Sequence, residues 1–112
     1  MPKNPDHDRV RSMTIDPQLP GAEIVAQGIE ELRAGKRSAE ACLVASGRTR
    51  LRRLGVDVPS AEFIEGFPEH ALYDVLTDEL GQAAGYARYN ALLALLHSFA
   101  NALAVANRAE TA

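Results

Sequence analysis

Residues 84–108 read AGYARYNALLALLHSFANALAVANR. Between Ala91 and Ala106 the polar residues are His97, Ser98 and Asn101 alone. Tyr86, Tyr89, Leu93, Leu96, Ala100 and Leu103 recur at alternating spacings of three and four, the a/d pattern of a heptad. Leu92, Leu95, Phe99, Ala102 and Ala106 widen the apolar face well beyond a seam. A helix apolar on nearly all sides is a buried helix. The stretch is therefore expected to form one long helix, either at the centre of a bundle or covered by a second chain. Leu92, Leu96, Phe99 and Leu103 are the candidate dimer interface.

A membrane anchor is the rival reading of the same stretch. The run from Ala91 to Ala106 is 16 residues long, contains His97 and Asn101, and is rich in Ala. About 20 strongly apolar residues are needed to span a bilayer. No membrane partner is expected.

Upstream, Gly81 and Gly85 mark a turn or a kink. Before them, Leu72, Val75, Leu76 and Leu80 form an apolar stripe over residues 69–80. Pro68 suits the first helical position there, with Glu69 beside it. At the other end of the chain, Val25, Ile29 and Leu32 stand at helical spacing in AEIVAQGIEELRAG. This predicts a helix over 21–34, stopped by Gly35. Ser38 is a natural N-cap for a helix over 39–46 that encloses Cys42, Leu43 and Val44 and ends at Gly47. A third short helix from Thr49 or Arg50 carries Leu51 and Leu54 to Gly55. Pro59 keeps the preceding VDVP extended. Ser60 is expected to cap a short helical turn, AEFIE, closed by Gly66. No stretch reads as a strand.

The chain has 112 residues, 46% of them apolar, with three Phe, three Tyr and no Trp. That length suits one domain and a core that needs neither disulfides nor metal. A core of Leu, Val and Ala requires elements that approach closely. The expectation is an all-α fold, a small bundle of four or five helices with one long C-terminal helix. A single helical domain is expected over 20–112. Residues 1–19 read as a flexible N-terminal arm, because four prolines fall within the first 20 residues. Met13 and Ile15 are its candidates for docking on the body. The start of the chain has no apolar h-region, and the one cysteine, Cys42, lies in an apolar stretch as a buried thiol. A cytoplasmic protein is the expectation.

The charges are segregated. Residues 33–53 hold seven Arg or Lys and one acid, whereas residues 57–79 hold seven acids and no Arg or Lys. Four of the bases, Arg48, Arg50, Arg52 and Arg53, form a candidate anion- or partner-binding segment, since Arg offers bidentate hydrogen bonds to phosphate or carboxylate. The favoured reading is that the basic and acidic blocks face each other, within the chain or across a dimer. A helix-turn-helix over Ser38–Leu54 fits poorly. The turn glycine, Gly47, is flanked by Ser46 and Arg48, and Arg53 takes the position that ought to be buried. The net charge of −3 also speaks against bulk nucleic-acid binding.

Two further sets of polar residues stand at regular helical spacing. His70, Asp74 and Asp78 share one face of the 69–80 helix at metal-ligand spacing, with no second half-site, so a solvated face is expected and no metal. Asn90, His97 and Asn101 form the narrow polar stripe of the long helix, which either faces water or makes a register-setting contact. No nucleophile motif, P-loop, GxGxxG or HExxH occurs. No enzyme and no cofactor are expected. The functional expectation is a small helical interaction protein, a homodimer with a possible acidic protein partner. The alternative is a nucleic-acid-binding regulator that uses the Arg48–Arg53 segment.

Overall fold

A computed structural model describes residues 15–111, with side chains described as far as Ala109. Among the described residues there are five helices and no strands. They are α1 (Ala22–Arg33), α2 (Ala39–Ser46), α3 (Arg48–Arg53), α4 (Pro68–Leu80) and α5 (Gln82–Thr111). The all-α bundle with one long C-terminal helix is thus the fold.

The arm expected over 1–19 lies outside the described residues as far as position 14, and Met13 with it. Its last part is ordered against the body. Ile15 is buried in the core, and Leu19 packs against it.

Helix α1 buries Val25, Gly28, Ile29 and Leu32 on one stripe. It ends in a Schellman motif, in which Gly35 at φ 74° donates to the Leu32 carbonyl and Lys36 donates to the Glu31 carbonyl. The same device ends α3. There Gly55, at φ 95°, donates to the Arg52 carbonyl and Val56 donates to the Leu51 carbonyl. Between α1 and α2, Ser38 caps as expected, its hydroxyl accepting from the Ala41 N–H at 3.1 Å. That hydroxyl also donates to the Glu31 carboxylate, tying the last turn of α1 to the first turn of α2.

The central element is α2, not the long helix. Six of its eight residues are buried, and it packs against all four other helices' side of the core. Its closest neighbour is α1. A Cβ at Gly28 would stand 2.4 Å from both the Glu40 carbonyl oxygen and Val44 Cγ2. The long helix stays at the edge because it carries Arg88, Asn90, His97 and Asn101, which remain in water.

Helices α4 and α5 form a hairpin about Gly81, at φ 87°. It is closed tightly. A Cβ at Gly85 would lie 2.9 Å from the backbone of Leu76 and Thr77. Leu80, expected on the buried stripe of α4, is 49% exposed, because the turn begins there. The buried seam of α5 runs through Gly85, Tyr89, Leu92, Leu96, Phe99 and Leu103. It lies between the two stripes read from the sequence. Tyr86 is 56% exposed, and Phe99 is fully buried.

After α3, the extended VDVP places Val56 and Val58 in the core, two residues apart on one side of the chain. At AEFIE a single turn forms, with the Ile64 N–H on the Ala61 carbonyl, and it does not extend into a helix. Ile64 alone is drawn into the core, and Pro59 and Gly66 leave too few residues between them to propagate a helix.

Candidate binding surface

Helix α3 has six residues, and only Leu51 among them is buried. The other side chains therefore radiate, and the four arginines separate into different surroundings. The Arg48 Nε donates to the carbonyls of Val58, at 3.2 Å, and Pro59, at 2.9 Å. Arg48 is half-buried and holds the VDVP strand-like segment against α3. The Arg50 guanidinium turns the other way and donates to Asn101 Oδ1 of α5 at 2.7 Å. Arg52 and Arg53 are exposed, and neither has a hydrogen-bond or ion-pair partner among the described residues. With Arg48 and Thr49 they border a shallow depression of about 330 Å³.

The acidic block does not cover this surface. One ion pair joins the two blocks, Arg33 to Asp57 at 4.0 Å, with both side chains well exposed. A pair of that kind adds little to stability. Glu69, Asp74, Asp78 and Glu79 are exposed on α4. The complementary blocks thus remain largely unneutralised within the chain.

The polar stripe of α5 is solvent-facing at Asn90, His97 and Asn101. Asn101 is bonded to Arg50, and one turn and a half further on the Asn107 amide donates to the Leu54 carbonyl at 3.1 Å. These two bonds seat α3 on the C-terminal half of α5. His97 and Arg50 also line a second cavity, about 300 Å³, whose floor is Leu51, Leu93 and Leu96 and whose far rim is Glu69. The sequence did not signal the meeting of Arg50 with Glu69, since α3 and α4 are brought together only by the fold.

Leu92, Leu96 and Phe99 are buried in the chain's own core, and Leu103 is partly buried against it. The apolar side chain that α5 presents to the outside is instead Val105, 57% exposed. His70, Asp74 and Asp78 are exposed on α4, with the His70 ring edge-on to Phe67 at 5.5 Å. Among the described residues no three His, Cys, Asp or Glu side chains are grouped to hold a metal ion. Cys42 is fully buried, and burial pushes its thiol above the ordinary value, Arg37 pulling weakly the other way. The three tyrosines gather at the hairpin. Tyr73 packs edge-to-face on Tyr89 at 5.6 Å and on Tyr86 at 6.5 Å.

Helix α5 is long and apolar enough, by length and composition, to cross a membrane. Its exposed residues in this fold include Tyr86, Arg88, Asn90, His97, Ser98, Asn101 and Val105 with several alanines, while Leu92, Leu96 and Phe99 turn inward. No protein-family model, curated protein or solved structure matches the chain.

Proposed function

We propose that this is a small interaction protein that acts by binding, with the α3 arginine surface as its docking site for an acidic protein surface. The observation that carries this reading is the exposure of Arg52 and Arg53 with no neutralising acid among the described residues. An arginine pair and an acidic helix with no ion pair between them among the described residues also give a second copy of the chain the right chemistry. The acidic face of α4 in one copy complements the basic α3 of another, so the homodimer is charge-matched and not built on the leucines of α5. Opposed patches of this kind steer encounter and choose partners more than they add affinity. No membrane is invoked in this reading, since the outward face of α5 carries Arg88, Asn90, His97 and Asn101 among its alanines.

Sedimentation velocity at low and high salt tests the dimer. The expected result is a dimer at low salt that Arg52→Glu with Arg53→Glu dissociates and that Asp74→Lys with Asp78→Lys in the other copy restores. A monomer at every salt concentration, together with no binding of a poly-glutamate peptide, overturns the reading. Tight, sequence-dependent duplex DNA binding that Arg52→Ala and Arg53→Ala abolish would transfer the same surface to a nucleic-acid role.

A further inference from the structure

The cavity of about 300 Å³ described above is at the small end of the range for small-molecule sites. Its walls come from four elements, the C-terminal end of α2 at Ser46 and Gly47 together with α3, α4 and α5. Arg50, Glu69 and His97 are its exposed lining, at the mouth, and the buried Leu51 and Leu96 with the half-buried Leu93 lie beneath them. Arg50 is already steered by Asn101, which takes one donor of its Nη2 and leaves the remaining donors of the fork unused among the described residues. Arg50 and Glu69 share the cavity without forming an ion pair.

A rim with one cation and one anion above an apolar floor is complementary to a molecule with the same division. We propose that this cavity binds a small zwitterion with an apolar body, the chemistry of an apolar α-amino acid. Its carboxylate is received by Arg50, where a guanidinium offers two parallel N–H groups. Its ammonium is received by Glu69, and its side chain lies on Leu51, Leu93 and Leu96. This site is separate from the Arg52–Arg53 surface and does not depend on dimer formation.

The test compares leucine with 4-methylpentanoate, which lacks the ammonium, and 3-methylbutylamine, which lacks the carboxylate. Binding is read from the methyl NMR signals of Leu93 and Leu96 in the full chain. Leucine is expected to bind about tenfold or more tighter than either analogue, the scale of one charge-assisted hydrogen bond. Arg50→Gln should bring leucine down to the level of the amine, and Glu69→Gln should bring it down to the level of the acid. Both side chains are exposed, but Arg50→Gln also gives up the bond to Asn101, so the far-ultraviolet circular dichroism melt of each variant is compared with that of the parent before binding is read. Equal binding of all three compounds, indifference to both substitutions, or no perturbation of the leucine methyls by any of them overturns the proposal.

Discussion

Gly28 sets the distance between α1 and α2. In a helix that faced only water, replacing Gly by Ala would stabilise by about 1 kcal/mol. Here the added methyl meets a backbone carbonyl and a valine methyl at 2.4 Å, and the carbonyl cannot rotate away. Gly28→Ala is therefore expected to destabilise by about 1–3 kcal/mol, the cost of overpacking. Urea denaturation gives the sign directly, and a stabilised variant would mean that the helices part without penalty. The sequence allows for this role, because a glycine inside a clear apolar stripe either weakens the helix or lets a neighbour close in. It does not say which neighbour. The partner is a residue of the next helix, placed by a turn of only a few residues whose geometry the Gly35 and Ser38 contacts set.

At the scale of elements, the joint between α1 and α2 and the register of α5 carry the argument. The Ser38 hydroxyl, Gln27 and Lys36 hold the Glu31 carboxyl below the usual carboxylate range, the Ser38 hydrogen bond contributing most. A lowered carboxyl pKa adds stability that is present above the ordinary range and is lost as pH falls through the lowered value. Ser38→Ala should cost about 1 kcal/mol through loss of the cap. It should cost slightly more at neutral pH than in acid, where Glu31 is protonated in both proteins. Denaturant midpoints at the two pH values measure the gap, and an equal cost at both would show that Glu31 does not take part. In α5, the fully buried Phe99 and the exposed Val105 stand on the same apolar helix with opposite consequences. Phe99→Ala should cost about 3–5 kcal/mol, and Val105→Ala should change stability by less than about 0.5 kcal/mol. Thermal unfolding of the two variants checks the seam. The existence and ends of α1, α2 and α4 are legible from periodicity, caps and prolines. The seam of α5 is not, because apolar residues cover so many of its positions that two phases score equally. Only the close approach at Gly85 and the fit of Phe99 among its neighbours select the phase between them.

Across the whole molecule, the segregation of charge is legible in the sequence, but its disposition is not. Adjacent blocks of opposite sign suggest mutual pairing. Instead, Arg48 and Arg50 bond to carbonyl and amide oxygens, Arg52 and Arg53 stay exposed, and among the described residues a single ion pair, Arg33 to Asp57, joins the blocks. The fold and the association are therefore expected to answer to salt differently. With one weak ion pair between the blocks, raising salt from low to physiological strength should leave the melting temperature of the dilute monomer nearly unchanged. The same change should markedly weaken the dimer proposed above. Calorimetry on dilute protein and sedimentation on concentrated protein separate the two responses. A large loss of thermal stability with salt would show that the blocks do meet within one chain.

The gathering of Tyr73, Tyr86 and Tyr89 at the α4–α5 hairpin has an optical consequence. The chain has three tyrosines and no tryptophan, so its whole intrinsic fluorescence and nearly all of its near-ultraviolet circular dichroism arise from that one place. These signals report opening of the hairpin and are blind to the α1–α2 pair. The thiol of Cys42, buried on α2, answers only when the core around α2 opens. In the unaltered protein, light thus reports the hairpin and a thiol reagent reports the surroundings of α2.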